Sequence, residues 1–272
     1  VMLQSILSLL DLWGLNTGAQ LTPNFEGYAG NRNAFAFQLL AVMALLLGYS
    51  QVYARYGVGL YRSARPWIFS VLLGVVLAGL VWTGSRAGLL VGSMVLILAG
   101  IGRLADRRML GWGLTFAAIL WVGVWLGAQS APIQSAPIQS AFSGDDSDQE
   151  RWATMTHALG LWRQSPVLGA GLGVFIAKSP AWLGHPQVIH STPLWVLAEF
   201  GLIGVAVMGW AFFLLVHYVT RLGKFLPARR VLLLLILTFA VFSLAHEIFF
   251  QRIFWFVLGA VLAQPFVSKG RV

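Results

Sequence analysis

The sequence predicts an all-α, polytopic helical membrane protein with about eight spans and one large outward-facing loop. Of its 272 residues, 58% are hydrophobic and 10% are charged, against about 25% charged in soluble domains. A soluble chain of this length could not bury so much apolar surface, because surface-to-volume scaling limits the size of its core. The apolar residues also form runs of membrane-spanning length, and the basic residues gather in alternate connections. These features exclude an ordinary cytosolic enzyme, a disordered chain and a collagen-like chain.

Eight apolar runs are candidate membrane spans, each of which needs about 20 mostly apolar residues. The first run is short, starts without methionine and lacks a basic region and a cleavage site, so it does not fit a signal peptide. We therefore expect the chain to begin inside a longer protein. The predicted spans are 2–15, 33–50, 66–83, 87–102, 109–127, 191–217, 230–247 and 252–267.

Basic residues orient these spans. Segments 51–65, 103–108 and 218–230, with the C-terminal tail, hold twelve of the 18 basic residues and one of the nine acidic residues. The positive-inside rule places them in the cytoplasm. This asymmetry accounts for the net charge of +9, so membrane lipids and no nucleic acid are the expected partners. The chain then divides into N-terminal spans over 1–127, an outward loop over 128–190 and C-terminal spans over 191–272.

The outward loop contains a repeat followed by an amphipathic helix. Residues 130–141 read SAPIQSAPIQSA, which predicts a flexible or extended linker. Ser147 followed by Glu150 fits a capping box, and apolar residues then recur at helical spacing until Pro166. We therefore predict an amphipathic helix over 148–165 that lies on the outer membrane surface or over a cavity.

Three arginines stand at outward helix starts, where the positive-inside rule does not account for them. Arg86 follows Ser85, a predicted N-cap, in the tight turn TGSRAG. Arg32 repeats this arrangement in GNRN, and Arg151 lies in the first turns of the amphipathic helix. Free N–H groups together with a guanidinium form an anion site, so the three arginines predict a shared phosphate or pyrophosphate. The alternative is contact with lipid headgroups; it stays open for Arg32 and is disfavoured for Arg86.

Two further residues are candidates for chemistry. His190 directly precedes a predicted span, where Ser191 or Thr192 can cap the helix. It is either a general base or an interfacial histidine that only forms hydrogen bonds. Glu199 lies inside that span, and intramembrane carboxylates are costly. We expect it either to pair with an outward arginine or to bind a sugar hydroxyl.

No metal, disulfide or nucleotide site is predicted. The chain has no cysteine, which excludes disulfides and thiolate ligands. The acidic run 145–148 is interpreted as a helix start, where acids are favourable. The glycine-rich run 169–173 follows no predicted strand, which a nucleotide loop requires. His246 and Glu247 lie at an outward tip, where they either form an ion-pair cluster with Arg252, which we favour, or line the cavity.

Four ordered motifs resemble one known family. They are GYAGNRNAFAF, TGSRAG, RWATMTHALGLWRQSPVLGAGLGVF and HSTPLWVLAEFGLIG. Their order is similar to that of the O-antigen ligase and polymerase superfamily of bacterial membrane glycosyltransferases. The resemblance implies functional roles for Arg86, Arg151 and His190. In many relatives an asparagine follows the histidine, whereas this chain has Ser191 there.

The resemblance also implies a reaction. The donor would be a glycan on undecaprenyl pyrophosphate, held at the periplasmic face of the inner membrane. The acceptor would be lipid A–core for a ligase, which we favour, or a second lipid-linked glycan for a polymerase. Fixed arginines can neutralise the leaving group, so no metal or other cofactor is expected. The predicted catalytic residues are His190, Arg86 and Arg151, and the predicted substrate-binding residues are Arg32, Glu199 and Ser85.

Two other functions stay open from the sequence. A transporter for an anionic lipid would also need arginines within a cavity, although the paired repeats with broken spans that are typical of transporters are not evident in the sequence. A non-catalytic membrane subunit would use its arginines only to bind lipid headgroups.

Overall fold

The computed structural model describes residues 31–56, 61–102, 105, 107–130, 145–221 and 227–269. Within these residues the chain is all-helical, as predicted. The described residues form nine helices: α1 (Arg32–Tyr56), α2 (Tyr61–Trp82), α3 (Arg86–Ile101), α4 (Arg107–Ser130), α5 (Asp145–Gln164), α6 (Val174–Leu183), α7 (Thr192–Arg221), α8 (Pro227–Ser243) and α9 (Arg252–Lys269).

One helix among the described residues, α7, is long and apolar enough to cross a membrane. Only 6% of its most apolar stretch is buried, whereas the core helix of a soluble protein would be mostly buried. An apolar surface of this size is expected to face lipid. Shorter apolar helices cover Arg32–Gly48, Trp67–Trp82 and Arg86–Ile101. The full set of eight spans stays a prediction.

The described helices cluster into two compact units. The first contains α1 to α4 and the part of α8 up to Thr238, and the second contains α5 to α7, the rest of α8 and α9. In the first unit α1 packs on α2 and α3, and α2 packs on α4. A helix that is apolar around its whole circumference is expected to be buried. The first unit buries these side chains of α1: Phe35, Phe37, Leu39, Leu40, Met43 and Leu47.

Glycines allow close helix crossings in the first unit. A Cβ atom added at Gly88 of α3 would lie 2.8 Å from Cβ of Ala36 in α1. A Cβ atom at Gly74 of α2 would lie 2.6 Å from Cβ of Phe116 in α4. Small residues at crossings are typical of membrane helices, whose association depends on close van der Waals packing.

The second unit is built on the packing of α5 against α6 and α7. Stacking of the His157 ring on Trp182, with centroids 4.6 Å apart and planes at 4°, joins α5 to α6. The edge of Trp182 meets Phe175 at 5.9 Å. The buried core of this unit consists of Ala158, Leu161, Phe175, Ile189 and Ala198.

The long helix α7 is broken at Gly201, whose φ of 64° and ψ of −160° are not helical. Such a break frees backbone N–H and C=O groups, and leaving them unpaired away from water is costly. The loop between α5 and α6, which we call the glycine loop (residues 166–173), supplies their partners. The backbone hydrogen bonds measure 2.9–3.2 Å and join Ala170 N to Ala198 O, Gly171 N to Glu199 O, Leu202 N to Pro166 O, and Ile203 N to Val167 O.

Two glycines make this close contact possible. A Cβ atom at Gly201 would collide with the backbone of Val167, and one at Gly169 would collide with the backbone of Glu199 and Phe200. Both glycines also have positive φ, 64° at Gly201 and 75° at Gly169, a region that other residues rarely adopt. Any side chain at either position would therefore force the glycine loop away from α7.

The predicted start of the amphipathic helix is wrong. The helix α5 begins at Asp145, so Ser147 lies inside it and does not cap it. The carboxylate of Glu150 instead accepts hydrogen bonds from His185 and Gln187, both at 2.7 Å. These partners are more than thirty residues away in the sequence, so the local capping pattern could not indicate them.

The helix α6 is missing from the sequence prediction. It is short and contains Pro180, which argues against a helix in a sequence pattern. The signals that mark it are Gly173 and Gly184, which flank it with positive φ values of 79° and 78°. The predicted span 2–15 lies outside the described residues, as does the predicted linker 130–141 after Ser130.

We expect Gly201→Ala to destabilise the protein and Gly209→Ala, in the same helix, to leave its stability unchanged or slightly raised. A positive φ combined with a ψ of −160° is essentially restricted to glycine and costs other residues about 1–3 kcal/mol. The methyl group of alanine would also collide with Val167. A Cβ atom at Gly209 meets no atom within 4 Å. Thermal unfolding of the purified protein in detergent should show a Tm lower by about 5 °C for Gly201→Ala alone. Equal Tm values for both variants would contradict a break fixed by Gly201.

Candidate functional site

In the first unit, the candidate residues lie at the adjoining starts of α1 and α3. Ser85 is the N-cap of α3, as predicted, and its hydroxyl accepts a hydrogen bond from the N–H of Gly88 at 3.1 Å. The same hydroxyl donates to Oδ1 of Asn33 at 2.8 Å. Asn33 lies in the first turn of α1, so one serine both caps α3 and joins it to α1.

Arg32 and Arg86 are the first residues of these two helices. The side chain of Asn31 caps α1 by accepting from the N–H groups of Asn33 and Ala34, at 2.8 and 3.2 Å. Neither helix has an acidic residue in its first turn, so the partial positive charge of both N-termini is not neutralised there. The predicted helix-start positions of Arg32 and Arg86 are confirmed. The anion that they are predicted to bind stays a prediction.

In the second unit, Arg151 lies in the second turn of α5, next to Glu150. The hydrogen bond from His185 lowers the pKa of Glu150, and the bond from Gln187 acts in the same direction; burial opposes both. The positive charge of a protonated His190 also lowers this pKa. Gln187, the partner of Glu150, lies three residues before His190, so this turn of α5 contacts the segment that leads to His190.

His190 lies near the end of the segment that leads from α6 into α7, and Thr192 is the first helical residue. Its Nδ1 atom lies 3.4 Å from Oε2 of Glu247 in the turn between α8 and α9. Both side chains are about one quarter exposed, at 27% and 25%. The predicted span 230–247 is too long at its end, because α8 stops at Ser243 and leaves Glu247 in a turn.

The hydroxyl of Thr192 fixes the backbone on both sides of Glu247. It donates to the carbonyl of His246 at 3.0 Å and accepts from the N–H of Ile248 at 2.9 Å. Burial raises the pKa of Glu247, but the hydrogen bonds from His190 and from its own backbone N–H outweigh burial and lower it. Glu247 is therefore ionised near neutral pH. It pairs with His190, a partner that the sequence prediction of a cluster with His246 and Arg252 does not include.

One group among the described residues has the donor chemistry of a metal site: His190, His246 and Glu247. Their possible ligand atoms lie within 4.8 Å of one another. Ligands bound at about 2.1 Å to tetrahedral zinc are only about 3.4 Å apart. Within this group the side chains of His190 and Glu247 lie at hydrogen-bond distance, and the His246 ring stacks on Phe242 at 4.6 Å.

Glu199 is buried, with 2% of its surface exposed. Its Oε2 accepts from the N–H of Gly173 at 2.9 Å, and its Oε1 accepts from the N–H of Phe175 at 3.1 Å. These groups belong to the start of α6, so Glu199 caps that helix. Its predicted contact with a sugar or an arginine stays a prediction.

Sequence reasoning thus places Arg32, Ser85 and Arg86 at helix starts but misses two partners of the candidate residues. The first is Glu247, which lies 57 residues from His190. The second is the glycine loop, whose role is to pair with the break in α7. The glycines themselves are the available signal, since a run of glycines beside a buried carboxylate indicates close backbone approach.

The exposed apolar helix and the small-residue crossings are typical of a helical membrane protein, and each unit has polar side chains at its helix starts. The sequence model of the O-antigen ligase family matches residues 69–209, just over half of the chain. The chain therefore belongs to the O-antigen ligase family of membrane glycosyltransferases. No curated protein and no solved structure matches it significantly.

Proposed function

We propose that this protein transfers a glycan from undecaprenyl pyrophosphate to lipid A–core at the periplasmic face of the inner membrane. The observation that carries the proposal is the family match over 69–209. That range includes Arg86, Arg151 and His190. The exposed apolar surface of α7 supports a membrane-bound reaction, which a polyprenyl-linked donor requires.

The reaction is a displacement at the anomeric carbon of the donor sugar. The acceptor hydroxyl oxygen forms a bond to this carbon while the bond from the carbon to the pyrophosphate oxygen breaks. The electron pair of the broken bond stays on the pyrophosphate, and the hydroxyl proton goes to His190. A free imidazole, with an ordinary pKa of about 6.5, can accept such a proton at neutral pH.

Arg86 and Arg151 are proposed to bind the pyrophosphate as negative charge develops on it. Fixed donors aimed at developing charge are a large source of rate enhancement. The hydrogen bond between Ser85 and Asn33 supports this role, because it holds two helix N-termini side by side. Arg32 and Ser85 are proposed as further donor contacts at these N-termini.

A deletion strain tests the reaction as a whole. We expect it to contain free lipid A–core together with accumulated lipid-linked polymer, because ligation is the step that joins them. The lipopolysaccharide is examined by gel electrophoresis with complementation by the wild-type gene. Single repeat units attached to the core would instead indicate a polymerase of the same superfamily.

Arg86→Lys should reduce the rate about as much as Arg86→Ala, to within an order of magnitude. Lysine keeps the charge but lacks the planar fork that binds two phosphate oxygens at once. Arg107→Lys is the matched control, since Arg107 also begins a helix but lies at a predicted cytoplasmic end. Full activity of Arg86→Lys in a reconstituted transfer assay would rule out bidentate binding.

His190→Ala should lower turnover by about 10²–10⁴-fold, the usual contribution of a general base, while donor affinity stays nearly unchanged. His185→Ala is the control and should be mild, because His185 binds Glu150 and its side chain is 54% exposed. Steady-state kinetics at varied donor concentration separate the two effects. A weaker donor affinity with unchanged turnover at saturation would make His190 a binding contact.

A further inference from the structure

Glu247 is a partly buried carboxylate that the proposed reaction leaves without a role. It lies in the turn between α8 and α9, outside the range of the family match. Its carboxylate is 3.4 Å from Nδ1 of His190. The other described histidine–glutamate pair, His185 with Glu150, is shorter at 2.7 Å but more exposed.

The backbone around Glu247 is held in place by the residue that starts α7. Thr192 is buried, with 6% of its surface exposed. Its hydroxyl forms hydrogen bonds with the backbone directly before and after Glu247. Thr192 lies two residues after His190, so the same short segment positions both partners. The pair is therefore set by the fold and does not depend on two long, freely rotating side chains.

A neutral imidazole carries one proton, and the hydrogen bond made by one ring nitrogen decides which nitrogen keeps it. A carboxylate beside Nδ1 favours the tautomer with the proton on Nδ1. The lone pair then lies on Nε2, at the opposite side of the ring. A separation of 3.4 Å is long for such a bond, and catalytic hydrogen bonds often shorten when substrate binds.

We propose that Glu247 is the positioning residue of His190: it accepts the Nδ1 proton in a hydrogen bond and so presents Nε2 to the acceptor hydroxyl. This inference rests on the proposed function. When the acceptor oxygen bonds to the anomeric carbon, its proton moves to Nε2 and the ring becomes positively charged. Glu247 stays ionised and stabilises that charge, while the electron pair leaves with the pyrophosphate.

Among the residues that the structure describes, charged and titratable groups of two elements interact with His190. His246 and Glu247 belong to the turn after α8, with the His190 and His246 ring centroids 6.5 Å apart. Glu150 on α5 interacts with His190 electrostatically. A nearby carboxylate favours the protonated imidazole, so removing Glu247 should extend activity to lower pH even as it reduces the maximal rate.

The test is Glu247→Gln in the full-length protein, reconstituted in proteoliposomes. The substrates are lipid-linked glycan and lipid A–core purified from the source bacterium. We expect turnover on the pH plateau to fall about 10- to 10³-fold and the donor KM to change less than about twofold. The acidic limb of the pH–rate profile should move to lower pH by about 0.5 unit or more. A residue that only supports the fold would not move this limb.

Asp148→Asn is the matched control, because it removes one carboxylate charge from the first turn of α5. It should keep plateau turnover within about twofold of the wild type. If Glu247→Gln fails to accumulate, Glu247→Asp replaces it; this variant should turn over more slowly but keep the wild-type acidic limb, because it retains the charge.

A second readout does not depend on activity. In protein labelled with ¹⁵N-histidine, the His190 signals are assigned by difference from His190→Ala. The neutral ring should carry its proton on Nδ1 in the wild type and lose this preference in Glu247→Gln. An unchanged tautomer and pH profile would overturn the role of Glu247, as would turnover that a chelator abolishes and zinc restores. Full activity of His190→Ala would instead overturn the proposed general base.

Discussion

A buried carboxylate at a broken helix is the constraint on which the second unit depends. Glu199 accepts two N–H groups from the start of α6 with its side chain, and its own carbonyl accepts the N–H of Gly171. The first N–H groups of a helix have no partner within it, so this carboxylate satisfies them where water is scarce. The segment between α6 and α7 contains His190. Glu199 fixes the start of α6, the helix that precedes this segment.

In both units, polar and charged side chains gather at the ends of helices. Ser85 joins two N-termini that carry Arg32 and Arg86, and Thr192 joins the start of α7 to the turn that carries Glu247. In each case a small hydroxyl side chain makes two hydrogen bonds and fixes larger groups beside it. Rigid helices thus position the charged side chains, which suits chemistry that requires fixed geometry.

Local signals predict much of this structure. The N-cap at Ser85 follows from a serine between two apolar runs, because capping involves residues only three apart. The start of α7 near Thr192 follows in the same way. The partners of His190, Glu150 and Glu199 could not be predicted, since each lies more than twenty residues away in the chain. The break at Gly201 is hidden because apolar residues continue on both sides, with Glu199 as the interruption before it. Predicting it requires knowing that the glycine loop packs there.

The break at Gly201 divides α7 into a short part before it and a long part after it. The 20 residues after Gly201 would extend about 30 Å, which equals the hydrocarbon thickness of a typical bilayer. The nine residues before it would rise at most about 14 Å further. Polar headgroups occupy about 5–8 Å on each side of a bilayer. Such a span would place Gly201 at the boundary between the hydrocarbon and the headgroups, and the first turns of α7 among the headgroups.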